Sequence, residues 1–345
     1  MKKIWCSGTT YEIGYTHGVE AAGEIKNAII FYADLFMKHS RLDWSQVKLL
    51  ARSFHDTIKT QWPQYHKEME GIANGAKCEL LDIIALNVRT EIVFGKFSDG
   101  CTSLYYGRDG AAYLGQNWDW MEAQKSNLIQ LTIIQDGLPT IKMITEAGII
   151  GKIGLNSAGV GVCFNAIRAK GLDMTRLPAH FGLRVALEST SALGAVEKLE
   201  RIGLASSAHI LIGDPGTAVG LEFTSTSTAR VAINPSGFLV HTNHMLLQHA
   251  NICEPKWLDD SPVRLHTVEE KISQAGGRLS WEHFNGIFED ETNYPCSINR
   301  AAEGSSDLAT LFNIVMDLGT KKAIVRIGRP VQGNNSEEKV LLQFP

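Results

Sequence analysis

Long apolar runs are missing from this chain. No stretch reaches the ~18 apolar residues that a membrane-spanning helix needs. The start, Met1-Lys2-Lys3-Ile4-Trp5-Cys6, has two basic residues with no apolar run behind them, and Gly8, Thr9, Thr10 and Glu12 follow too soon for a signal peptide. An excess of one charge is missing too. Lys and Arg number 33 against 37 Asp and Glu, a net of -4, so neither nucleic acid nor a membrane surface is expected as a partner. The six cysteines (Cys6, Cys78, Cys101, Cys163, Cys253, Cys296) contain no CxxC pair, which argues against a zinc site and against a disulfide framework. Neither a GxxxxGK[ST] phosphate loop nor a GxSxG elbow occurs. There is no internal repeat and no low-complexity linker. The chain ends Leu342-Gln343-Phe344-Pro345, which is not a Ser-Lys-Leu-type peroxisomal address. A cytoplasmic protein without metal is the expectation.

What is present is a core. Of 345 residues, 44% are hydrophobic and 20% charged, the balance of a folded soluble chain. Residues 11 to 94 read as helical: Ile13, His17, Val19, Ile25, Ile29, Ile30, Ala33 and Phe36 recur at helical spacing, and Pro63 breaks a later run. After Gly100 the texture turns to strands. They are expected at 102–106, 112–117, 128–135, 141–145, 149–153 and 159–164, with Arg108-Asp109-Gly110 and Asn156-Ser157-Ala158-Gly159 as turns. Helices follow near 178–190 and 192–201. Further strands are expected at 209–212, 220–223, 229–233 and 238–241, then a helix near 263–274 and strands at 310–317 and 322–327. Two strand blocks separated by helices suggest stacked sheets covered by helices.

Cys101 stands at the change of texture, in Ser98-Asp99-Gly100-Cys101-Thr102-Ser103. A thiol beside a glycine carbonyl can attack it, because glycine tolerates the strained backbone that exposes the carbonyl. Hydrolysis of the resulting thioester leaves Cys101 as a new N-terminus. Its α-amino group, with a pKa near ~8, can take the thiol proton. A buried cysteine at the start of a strand is the alternative that these residues leave open.

Asp119 lies eighteen residues on, in Gly115-Gln116-Asn117-Trp118-Asp119-Trp120. A hairpin over 102–118 returns it toward Cys101, where a carboxylate can hold an α-ammonium or orient the thiol; a strand-end cap is the plainer reading. Asn243, in His241-Thr242-Asn243-His244, can donate to an oxyanion. The two histidines lack an evident third metal ligand. Arg300 can stay charged near a thiolate or clamp a substrate carboxylate, or it forms a surface salt bridge.

Around these residues the chain resembles the fungal isopenicillin N acyltransferases (acyl-CoA:6-aminopenicillanic acid acyltransferases), a cysteine-type family of N-terminal nucleophile hydrolases. The resemblance runs over nearly the whole length. It includes Tyr11-Glu12-Ile13-Gly14-Tyr15, Asp99-Gly100-Cys101-Thr102, Ile144-Thr145-Glu146-Ala147-Gly148-Ile149-Ile150-Gly151-Lys152, His241-Thr242-Asn243-His244 and Arg326-Ile327-Gly328-Arg329-Pro330. It implies an α+β fold, the αββα four-layer sandwich. It implies self-cleavage between Gly100 and Cys101 into a helical α chain, residues 1–100, and a β chain, residues 101–345, that stay associated as an α/β heterodimer forming one structural domain.

Cys101 would be the nucleophile, Asp119 and Arg300 its supports, and Asn243 the oxyanion donor. Arg300 and Thr224 would meet the substrate. The substrates implied are isopenicillin N, 6-aminopenicillanic acid and an aryl-acetyl-CoA, with acyl-CoA as co-substrate and no resident cofactor. In this sequence Thr224 stands where the family pattern has serine, and Cys163 and Asn299 replace asparagine and cysteine. An amidohydrolase without CoA-dependent transfer, or a non-catalytic homologue, are the other readings.

Overall fold

The computed structural model describes residues 1–93, 100–250, 252, 254, 258–330 and 338–344. Asp99, Cys253 and most of the polar stretch 331–338 lie outside the described residues.

The chain opens with a strand that helical periodicity does not reveal, β1 (Lys2–Ser7), followed by α1 (Thr10–Glu20), α2 (Ala22–Ser40), α3 (Trp44–Gln61), α4 (Pro63–Ala76), α5 (Leu80–Asn87) and α6 (Arg89–Val93). Thr9 and Glu12 form a capping box on α1, Asp43 and Gln46 another on α3, and Pro63 occupies the first turn of α4. Helices α1 and α4 touch backbone to backbone. A Cβ on Gly14 would overlap the carbonyl oxygen of Glu68, and one on Gly75 that of Tyr15. Not every apolar residue of the helical pattern is core: Val19 and Ile30 face solvent.

Next come the hairpin strands β2 (Gly100–Arg108) and β3 (Ala111–Trp120), then β4 (Leu128–Ile134), β5 (Ile141–Glu146), β6 (Ile153–Asn156) and β7 (Gly161–Ala166). Asp109 and Gly110 both have positive φ, 53° and 85°, the geometry that two-residue hairpin turns favour. The strand expected at 149–153 is a correction. Residues 147–152 form a turn, with Gly148 at φ 91°. The Asn87 side chain bonds Gly148 O at 2.7 Å and Ile150 N at 2.9 Å in place of a sheet neighbour.

The rest of the chain folds as α7 (Ala179–Leu187), α8 (Ala192–Ile202), β8 (Ala208–Gly213), β9 (Ala218–Phe223), β10 (Thr228–Ala232), β11 (Phe238–His241), α9 (Asp260–Gln274), α10 (Trp281–Ile287), β12 (Ala309–Asp317), β13 (Lys322–Ile327) and β14 (Lys339–Gln343).

Two sheets result. One has the order β1-β4-β5-β6-β7-β8-β9-β10, the other β11-β2-β3-β12-β13-β14. Strands β2 and β3 pack on β7, and β11 on β9, so the sheets lie face to face. Helices α7 and α8 cover the outer face of the first sheet, and α1 meets β1. On the outer face of the second, α9 and α10 bury Val268, Ile272, Phe284 and Ile287 against Leu104, Tyr106, Val240 and Val315. This is the four-layer αββα arrangement. No described helix is long and apolar enough to cross a membrane.

The first six helices are joined to the rest by buried polar links. Glu68 and Arg184 form a two-pronged ion pair with both contacts at 2.9 Å. Arg89 and Lys152 converge on Glu146. Strand β1 pairs in parallel with β4, Lys2 opposite Ile129 through Ser7 opposite Ile134.

Candidate active site

Strand alternation sorts the start of β2 onto two faces. Cys101, Ser103 and Tyr105 face the other sheet: Cys101 lies in the inter-sheet core, and Ser103 Oγ donates to Asn165 Oδ1 at 2.7 Å. Gly100, Thr102 and Leu104 face α9 and α10. On the thiol's face stand Trp118, with Lys152 Nζ 3.7 Å from its ring centre, and Cys163. Burial, and the neighbouring Cys101, push the Cys163 thiol well up.

The hairpin register sets Gly100 opposite Asp119 and Cys101 opposite Trp118. The return of Asp119 to this end of the strand is therefore as the sequence indicates, but its carboxylate lies on the face opposite the thiol. There Oδ2 pairs with Arg300 Nε at 3.3 Å and Oδ1 accepts from Thr310 Oγ1 at 2.7 Å. Burial raises Asp119 to about 7, against the pull of Arg300 and Arg264.

Gly100 is not in a left-handed conformation, which corrects the backbone-strain rationale for it. Its side-chain position is simply occupied: a Cβ there would stand 2.6 Å from Arg300 Nε and 2.7 Å from Asp119 Oδ2.

Asn243 reaches Cys101 by extending a strand pair. Backbone pairing of β11 with β2 ends at His241 opposite Ser103. Two residues further, Asn243 is level with Cys101 and meets it with its side chain: the Cys101 N–H donates to Asn243 Oδ1 at 2.7 Å. Asn243 Nδ2 donates to Ala166 O at 3.1 Å. In the intact chain the carboxamide thus holds the amide nitrogen of the Gly100–Cys101 bond, and an oxyanion role falls to the second N–H of Nδ2, the first being on Ala166 O.

Arg300 also pairs with Asp260 and donates to Ser306 Oγ at 3.3 Å. It borders a cavity of about 710 Å³ lined in part by Trp120, Met121, Asp260, Tyr294 and Cys296. Thr224 follows the last residue of β9. Its Oγ1 accepts from Ser227 N at 2.9 Å and shapes the β9–β10 turn. No hydrogen bond among the described residues joins it to Cys101, Asp119, Asn243 or Arg300. His241 and His244 serve the frame: His241 Nε2 bonds Glu222 at 2.9 Å, and His244 Nδ1 bonds Ser261 Oγ at 2.8 Å.

Sequence reasoning misses Asp260 and Arg264, at the start of α9. Arg264 donates to Cys101 O at 2.6 Å and to Asn243 Oδ1 at 2.9 Å, and its Nε to Asp260 at 2.8 Å. The available signal is the i, i+4 Asp–Arg spacing at a helix start, three residues before the expected one.

The model of the family described as acyl-coenzyme A:6-aminopenicillanic acid acyl-transferase matches residues 106–332, beginning just after Cys101. The acyl-coenzyme A:6-aminopenicillanic-acid-acyltransferase 40 kDa form of Emericella nidulans is 47% identical over 349 aligned positions, covering 100% of this chain and 96% of that protein. The β-alanyl-dopamine/carcinine hydrolase of Drosophila melanogaster is 24% identical over 59% of this chain and 58% of its own. Among solved structures, penicillin V acylase from Agrobacterium tumefaciens aligns with a TM-score of 0.48 and 9% identity, over 71% of this chain and 86% of that one. On the family match and the full-length relative, the chain belongs to the acyl-coenzyme A:6-aminopenicillanic acid acyl-transferase family.

Proposed function

We propose that this protein is a self-cleaving acyltransferase in which Cys101 first cuts its own chain and then carries acyl groups. The observation that carries the reading is the hold on residue 101: its N–H is on Asn243, its carbonyl on Arg264, and its thiol on the face of β2 turned toward the other sheet. In self-cleavage Sγ attacks the Gly100 carbonyl carbon and the thiol proton passes to the Cys101 nitrogen. The C–N bond breaks, leaving a Gly100–Cys101 thioester and a free α-amino group. Water then adds and the C–S bond breaks, which returns the thiol and frees the Gly100 carboxylate. The new α-amino group serves as the base in turnover.

The reading of acyl-CoA and 6-aminopenicillanic acid as substrates follows the name of the 47% identical relative, and that of isopenicillin N follows the sequence resemblance. Cys101 Sγ takes the side-chain acyl group of isopenicillin N, releasing 6-aminopenicillanic acid, and water hydrolyses that thioester to free the side-chain acid; Sγ then takes the acyl group of acyl-CoA, releasing the CoA thiol, and passes it to the amine of 6-aminopenicillanic acid. The fragments 1–100 and 101–345 stay together through β1 on β4 and through the Glu68–Arg184 pair.

Mass spectrometry of the denatured protein tests the cleavage. Two fragments are expected, and one whole chain from Cys101→Ala. A whole wild-type chain overturns the reading. Phenylacetyl-CoA with 6-aminopenicillanic acid tests the transfer. Amide hydrolysis without penicillin formation identifies a hydrolase instead.

A further inference from the structure

Helix α9 enters the site with its first turn, and three side chains of that turn meet almost every group already described. Asp260 accepts from Arg264 Nε at 2.8 Å and pairs with Arg300, which holds Asp119. Ser261 Oγ accepts the Asn243 N–H at 2.7 Å, and the Ser261 carbonyl accepts from Thr242 Oγ1 at 3.0 Å. Arg264 donates to Cys101 O at 2.6 Å, Thr102 Oγ1 at 3.1 Å and Asn243 Oδ1 at 2.9 Å. The Arg264 side chain is fully buried.

We propose that Arg264 is a positioning residue for self-cleavage, and that the first turn of α9 is the template that holds the Gly100–Cys101 peptide for attack. The inference rests on the reading of Cys101 as a self-cleaving nucleophile and adds a part to it.

Two physical reasons support it. First, the peptide must present its carbonyl carbon to a thiol on one face of the strand, so residue 101 must not rotate. Asn243 fixes its N–H and Arg264 its carbonyl. Arg264 also fixes Asn243: with Arg264 Nη2 on Oδ1 and Ala166 O on Nδ2, the carboxamide has one orientation. A planar guanidinium can bridge acceptors on β2, on the segment after β11 and on its own helix together; a lysine ammonium cannot.

Second, Arg264 helps keep Asp119 ionised. The groups facing Asp119 are Arg300 and Thr310, with Arg264 and Asp260 behind them. The two arginines and the Thr310 hydroxyl favour the carboxylate, and burial and Asp260 oppose it. Removing the Arg264 charge therefore acts on ionisation as well as on geometry.

The test compares Arg264→Lys and Arg264→Met with wild type. Fragment formation is followed by denaturing mass spectrometry between about pH 5 and pH 9, with the melting temperature as the check on folding. Arg264→Lys keeps the charge and loses the bridge, so cleavage is expected to slow about 10-fold with the acid limb unmoved. Arg264→Met is expected to slow it about 100-fold or more and to move the acid limb to higher pH. A wild-type rate in either variant overturns the proposal. So does equal slowing in both with no movement of the acid limb, which marks a purely structural residue. If Arg264→Met does not fold, Arg264→Lys decides alone by its rate. A wild-type chain that never cleaves removes the underlying reading; a cleaving wild type with indifferent variants removes only this inference.

Discussion

The backbone N–H of Cys101 donates to the side-chain oxygen of Asn243 at 2.7 Å. The same nitrogen would leave Gly100 on self-cleavage and become the α-amino base of the mature enzyme. On the proposed reading, one asparagine would accompany one nitrogen through both stages. Asn243 and Arg264 share this contact point through Oδ1, so the cation would stand close to the amine that cleavage forms. A nearby positive charge disfavours protonation of an amine, which favours the free base that the thiol needs.

Gly100→Ala is expected to slow self-cleavage by at least ~10-fold. A methyl group at that position meets Arg300 and Asp119 at 2.6 and 2.7 Å, and overpacking a rigid site typically costs ~1–3 kcal/mol. A time course of fragment formation at neutral pH measures it. Cleavage at the wild-type rate would show that the Arg300–Asp119 pair does not constrain residue 100.

The rate of fragment formation should rise with pH through about 7, the value to which burial raises Asp119. Below it the carboxyl is protonated and its ion pair with Arg300 is lost. The stability sign is opposite. A carboxyl whose folded pKa lies above the unfolded value, near ~4, contributes stability that is full below ~4 and is lost as pH rises through about 7. Asp119→Asn should abolish both dependences. A variant that keeps the wild-type acid limb assigns that limb to another group.

Arg184→Met should destabilise the protein by about 3–5 kcal/mol, because it leaves Glu68 buried without its cation. Glu68 is already driven up by burial, and Arg184 holds it down. Denaturant unfolding measures the loss. In the cleaved protein, size-exclusion chromatography in mild denaturant should show the two fragments separating earlier than in wild type. Co-elution at every denaturant concentration would mean that the pair does not bind the fragments.

Gly14→Ala and Gly75→Ala should each cost about 1–3 kcal/mol, since a Cβ at either position overlaps backbone across the α1–α4 crossing. Gly23→Ala, where the added Cβ meets nothing, should be neutral or slightly stabilising by helix propensity. Comparable losses at Gly14 and Gly23 would rule out the close-contact explanation.

Much of the frame is legible in the residues. The Arg108-Asp109-Gly110 turn and two alternating strands set the hairpin, and the hairpin sets Asp119 opposite Gly100. A two-residue turn with no bulge leaves one register. The same local rules place β7 to β9 and the helices after them. They fail at 149–153, where Asn87, from a distant helix, captures the backbone bonds that a strand would use. They also fail at β1, whose six residues become a strand only because the edge of β4 is there to receive them.

The sequence by itself determined that a thiol follows a glycine at a helix-to-strand junction, that Asp119 returns to that junction, and that apolar residues suffice for two covered sheets. These are short-range facts, written in turn chemistry and in alternation. Only the tertiary structure decided which face the thiol takes, that Arg300 binds Asp119 on the other face, and that Arg264, more than 160 residues from Cys101, grips its carbonyl. Those contacts form when separate elements close on one another. Their geometry depends on the packing of α9 against β2 and β11, which no local pattern encodes.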